Sequence, residues 1–141
     1  MPYASFDDLV EQFTAQEVES LSDGDDERVN RALSDASATA DSYIAIKYPL
    51  PLPDTPTALL GAVCDIARYR LYKDRATEEV RKRYEDAIGW LKRIADNKAV
   101  LVFDPSVVPA EERAALQADT NPIGATYTGG VFSNEMLDKM L

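Results

Sequence analysis

Residues 64–91 read CDIARYRLYKDRATEEVRKRYEDAIGWL, and this stretch decides the fold. Its second half carries Val80, Tyr84, Ala87, Ile88, Leu91 and, just beyond, Ala95 at steps of three and four, the spacing of one helix face. Its first half ends a helix from about Pro56 to Tyr72, whose core face is Leu59, Leu60, Val63, Cys64, Ala67 and Leu71. Between them Lys73-Asp74-Arg75-Ala76 breaks the pattern. Thr77 is an N-cap residue type, and Glu78 and Glu79 suit the positive end of the following helix. So short a break implies an antiparallel helix pair. Glu78–Lys82 and Glu79–Arg83 are candidate i,i+4 ion pairs.

Upstream the pattern stays helical. Ser5 and Asp8 have the spacing of a capping box, followed by Phe6, Leu9, Val10 and Phe13 on one face. A second short turn carries Val18 and Leu21. After the acidic turn SDGDDE (22–27), with Asp25 or Asp26 as cap, a slim Ala/Ser-rich helix is expected from about Glu27 to Tyr48, with Val29, Ala32, Leu33, Ala36, Ala40, Tyr43 and Ile44 inward. Pro49-Leu50-Pro51-Leu52-Pro53 is excluded from helix and favours an extended segment in which leucines are still available for burial. Thr55 is placed as the cap of the next helix, with Pro56 at its first position. After Asn97 the character changes: Val100 to Phe103 is β-prone, Glu111 to Ala118 suits one or two helical turns, and 121–133 is rich in turn formers. The expectation is an all-α protein, a small bundle of about four helices over 1–98, with 99–141 as a partly extended or disordered C-terminal arm that orders against a neighbour.

The chain of 141 residues carries a net charge of −10. Residues 1–48 hold 11 acids and three bases, whereas 65–93 hold nine bases and six acids. The total argues against general nucleic-acid affinity, which rests on neutralising phosphates. The asymmetry suits steering of one copy's acidic end toward another's basic hairpin; equally, each charge simply solvates its own helix face. No apolar run is long enough to span a bilayer, and the start MPYASFDDLVEQF lacks the basic and apolar regions of a signal peptide. The single cysteine excludes an internal disulfide and fits a reducing compartment such as the cytoplasm.

Nothing in the chain assembles a catalytic site. There is no histidine, so the commonest general base and metal ligand is missing. Cys64 lies on an apolar stripe and reads as a small core residue. An EF-hand beginning at Asp23 would need Gly at its sixth position and Glu at its twelfth, where Arg28 and Ser34 stand. Asp65, Glu85 and Asp86 have Arg68, Arg81 and Lys82 at ion-pairing distance along the helix, so solvated pairs outweigh a carboxylate dyad. No metal or cofactor is expected, and the chain reads as a non-enzyme. Arg68, Arg70, Lys73, Arg75, Arg81, Lys82 and Arg83, interleaved with Tyr69, Tyr72 and Tyr84, form the best nucleic-acid candidate. A small DNA-binding or packaging-associated module is therefore the alternative function.

The opening YASFDDLVEQF, the helix end DSYIAIKYPLPL and the block CDIARYRLYKDRATEEVRKRYEDAIGWLKRIADNK resemble the Mu-like prophage head–tail connector proteins, a family similar in layout to the adaptor and head-completion proteins of long-tailed phages. The most specific pieces are Tyr48 to Leu52 and Asp65 to Tyr72. The resemblance covers roughly residues 3–98, and the closing FSNEMLDKM resembles the family's C-terminal end. The turn at Asp23 is shorter than in many relatives. The resemblance implies a structural virion protein at the head–tail junction, a monomer when dilute and a ring, by analogy a dodecamer, in place. It implies contacts with itself, the portal protein and a tail-completion or tail-terminator protein, with DNA passing through the lumen unbound and no membrane partner. The expected contact residues are Arg75, Arg81 and Lys82 on the hairpin, and Val100, Phe103, Val131, Phe132, Met136 and Leu137 on the arm.

Overall fold

A computed structural model describes residues 2–120, with side chains through Leu116. Its elements are α1 (Phe6–Gln12), α2 (Ala15–Ser22), α3 (Asp26–Ile44), α4 (Thr57–Tyr72), a 3-10 turn (Lys73–Arg75), α5 (Glu78–Ala95) and α6 (Ala110–Thr120). No strand occurs among the described residues. The expected β-prone run at Val100 is extended but unpaired.

The helix starts follow local chemistry. The Ser5 hydroxyl accepts from the Asp8 N–H at 3.2 Å, and the Asp8 carboxylate accepts from the Ser5 N–H at 2.9 Å, a complete capping box. Asp25 caps α3 through the Glu27 N–H at 3.1 Å, and Thr77 caps α5 through the Val80 N–H at 3.3 Å. The short turn expected around Val18 is a helix of its own, because Thr14 accepts from the Glu17 N–H at 3.1 Å and restarts the chain. At α4 the expectation shifts by one residue. Pro56, with an extended ψ of 148°, is itself the cap; its carbonyl accepts from the Leu60 N–H, and Thr55 makes no capping bond. A residue without an N–H suits that position, since the cap's N–H has no helical partner to find.

α3, α4 and α5 form the centre of the bundle, and α1 and α2 lie across α3 and α4. Tyr69 faces Tyr84, Asp65 faces Arg83, and Ala58 shares a groove with Trp90, so α4 and α5 run antiparallel as the short break requires. The core holds Leu9, Leu33, Ile44, Leu59, Val63, Ile66, Leu91 and Ile94, all fully buried. Alanines at 32, 36 and 40 let α3 sit close against α4.

Of the segment after residue 98, the part over 99–116 packs on this body instead of standing off it, and the rest of the expected arm, 121–141, lies outside the described residues. Leu101, Phe103, Val108 and Leu116 are buried in the same core. The Tyr48 hydroxyl accepts from the Leu101 N–H at 3.0 Å, and the Phe103 ring meets Tyr48 edge-on at 6.2 Å. Phe103, expected as an arm contact, is thus 6% exposed and belongs to the core. The apolar run 100–103 alternates in and out, and its inward side finds a ready partner in the tyrosine before the proline stretch.

Candidate functional site

The residues that chemistry would need are withdrawn or already partnered. Cys64 is fully buried; burial first, then the nearby Asp8 and Asp65, pushes its thiol up to about 12. Such a group is no thiolate nucleophile at neutral pH. Among the described residues no three metal-ligating side chains gather. In the acidic turn, Asp23 closes α2 in the left-handed conformation (φ 56°), Gly24 follows at φ 76°, and Asp25 opens α3. These acids hold two helix ends, with Arg28 3.6 Å from Asp23.

Asp65 meets Arg83 at 3.9 Å across α4 and α5. Burial raises its pKa, and Arg83 and then Arg68 pull it partly back. Glu85 and Asp86 are exposed. The expected partners of this trio lie elsewhere: Arg68 reaches Glu17 at 2.8 Å, and Arg81 reaches Glu78 at 2.6 Å.

The basic hairpin therefore divides. Arg68 turns inward, over the Phe13 ring at 4.2 Å, and ties α4 to α2. Tyr72 donates its hydroxyl to the same Glu17 oxygen at 3.0 Å, and burial followed by that contact raises its pKa. Tyr69 and Tyr84 stack at 4.0 Å with rings 10° apart. Arg75, Arg81 and Lys82 are exposed on the 3-10 turn and the first turns of α5. Arg70 and Lys73 instead join Arg28 and Arg31 of α3 around an open cavity of about 500 Å³, with Asp35 and Tyr69 in its wall. Sequence reading missed this grouping, because the two cation pairs lie about forty residues apart and only the α3–α4 packing unites them.

A second surface is apolar. Val100, expected as a contact, is 47% exposed, and Val102 is 75% exposed. Ile46 and Leu50, also exposed, flank Tyr48 in the chain as Val100 and Val102 flank Leu101. The Tyr48–Leu101 hydrogen bond joins the two segments that carry these four side chains. Only the outward half of the 100–103 alternation was open to a partner; Ile46 and Leu50 carried no signal until the fold placed them. The remaining expected contacts, Val131, Phe132, Met136 and Leu137, lie outside the described residues.

Comparison with known proteins supplies the family. The family model described as "Bacteriophage Mu, Gp36" matches residues 3–118, which includes the packed segment after residue 98. The chain is 36% identical over 136 residues to the Mu-like prophage FluMu protein gp36 of Haemophilus influenzae, a match covering 91% of this chain and 96% of that protein. It is 34% identical over 114 residues to gene product J of Escherichia phage Mu, covering 76% of this chain and 78% of that protein. Helix caps, buried thiol and charged and apolar faces thus sit on a scaffold shared nearly end to end with phage and prophage proteins, and the chain belongs to the bacteriophage Mu gp36 family.

Proposed function

We propose that the chain is a structural head–tail connector subunit. It assembles as a ring between the portal protein and a tail-completion or tail-terminator protein, with DNA passing through the lumen without specific binding. In this reading it gathers in the host cytoplasm during assembly and ends at the head–tail junction of the virion. Membership of the Mu gp36 family and the resemblance to adaptor proteins of long-tailed phages support the class. The observation on this molecule that carries the reading is the exposure of Ile46, Leu50, Val100 and Val102 on the two segments that the Tyr48–Leu101 hydrogen bond joins. Exposed apolar side chains on joined segments suit a protein contact. The net charge of −10 suits a wall past which DNA slides.

The alternative, a DNA-binding or packaging-associated module, draws on the basic hairpin. Its support is reduced: Arg68 is turned inward, and Tyr69, Tyr72 and Tyr84 have their rings or hydroxyls engaged within the protein.

The test is genetic and visual. A Mu-like prophage lacking this gene is induced and its lysate examined by electron microscopy. DNA-filled heads and separate complete tails are expected, with joining restored by the wild-type chain and poorly by Ile46→Glu/Val102→Glu. Normally joined particles without the gene would overturn the reading.

A further inference from the structure

The groove between α3 and the end of α4 gathers four cationic side chains in a chain of net charge −10. Arg28, Arg31, Arg70 and Lys73 line it against a single lining carboxylate, Asp35. Arg70 pairs with Asp35 at 3.5 Å, and Arg28 with the 85% exposed Asp23 at 3.6 Å. Arg31 and Lys73 make no ion pair among the described residues. Four cations held by two packed helices, with half their charge unanswered, form a preset receptor for an anionic surface.

The same molecule carries a matching donor. Residues 2–22 contain five acids and no base. Asp8 closes the α1 capping box and Glu17 is held by Arg68. Asp7 and Glu11 remain exposed, one turn apart on α1, without a cationic partner among the described residues. Donor and receptor sit on opposite flanks of α3. Arg28, Arg31 and Asp35 share one flank. Ser37 and Asp41 share the other, about half a helix turn away; there Ser37 accepts the Tyr3 N–H at 2.8 Å and Asp41 the Tyr3 hydroxyl, anchoring the segment that leads into α1. The buried stripe of Val29, Leu33, Ala36 and Ala40 runs between them.

We propose that the groove of one copy receives the exposed acidic face of α1 from the next copy. Complementary patches on different sides of one chain give a head-to-tail contact, the kind that closes into a ring when its rotation permits. The inference rests on the connector reading and names the surfaces that would build the ring. Exposed charge pairs are individually weak, so the contact sets register and is sensitive to salt, and copies separate on dilution. The occupant is protein and not nucleic acid because Tyr69, the aromatic ring of the groove wall, gives its face to Tyr84 and not to a base.

Sedimentation of the full chain at high concentration and low salt tests this, using Arg31→Glu/Lys73→Glu, Asp7→Lys/Glu11→Lys, and a chain carrying all four changes. Lys73 closes α4 through its backbone N–H alone, and none of the four side chains makes a capping bond or an ion pair among the described residues, so unchanged helicity is the folding control. Self-association of the wild type, lost by about tenfold or more in each double variant and regained in the quadruple one, is the expected result. Undiminished association of the groove variant would overturn the inference while leaving a ring built on other surfaces. A wild-type chain that stays monomeric throughout would also overturn it; the connector reading is judged separately by the joining of heads and tails. Salt-dependent binding of duplex or single-stranded DNA that the groove substitutions abolish, with association unaltered, would give the groove to nucleic acid.

Discussion

Arg68 shows how far a residue's role departs from its neighbourhood in the chain. Among the hairpin's bases it looks like one more solvated charge. In the fold its side chain is 11% exposed, its Nε donates to Glu17, its guanidinium lies over Phe13, and one terminal nitrogen has no protein partner. Removing it would leave Glu17 half-sheltered, without its cation and with only the Tyr72 hydroxyl as partner, and open the seam between α2 and α4. Arg68→Ala is expected to cost about 2–3 kcal/mol, below the range for a fully buried pair because Glu17 keeps some water. A urea midpoint unchanged from wild type would show that the tie contributes nothing. No local signal marks the partner, which lies 51 residues away. By contrast, the burial of Cys64 was legible, since its position on an apolar stripe needs only helical periodicity.

Elements were legible where the information is local. The Ser5–Asp8 box, the Asp25 and Thr77 caps and the 73–76 break all depend on residues within one turn, and each stands where the spacing put it. Thr77→Ala is expected to lower stability by about 1 kcal/mol, the ordinary worth of a cap, with the loss visible in thermal unfolding; Thr77→Ser should retain most of it. Pairings between exposed charges were not legible. Glu78 bonds Arg81 in place of Lys82, and Arg83 crosses to Asp65 in place of Glu79. Each such pair is worth a few tenths of a kcal/mol, so geometry after packing selects among near-equal partners. Two further helices, α2 and α6, stand where only short helical turns were expected, around Val18 and over Glu111 to Ala118; a cap at Thr14 supports the first and burial of Leu116 the second.

At the scale of the whole molecule, the main revision is the stretch 99–116. It closes the core through Leu101, Phe103, Val108 and Leu116. Each fully buried side chain of this size contributes roughly 1.5–3 kcal/mol, offset by about 1–2 kcal/mol for each residue ordered. A chain ending at Lys98 is therefore expected to melt at a lower temperature than the full chain and to expose Tyr48, detectable as a change in tyrosine near-ultraviolet dichroism. Equal melting of the two would show that the segment adds nothing to the body.

The sequence by itself determined the class of the protein: all-α, without histidine, acidic outside a basic hairpin, and akin to a phage family. Those properties follow from composition, from a period of 3.6 and from caps that act within a turn. Tertiary structure decided which bases face inward, which half of the 100–103 run is exposed, and that Arg28 and Arg31 meet Arg70 and Lys73. These depend on contacts between residues tens of positions apart. Packing chooses such contacts by shape and burial across the whole core, and no short window of sequence carries that choice.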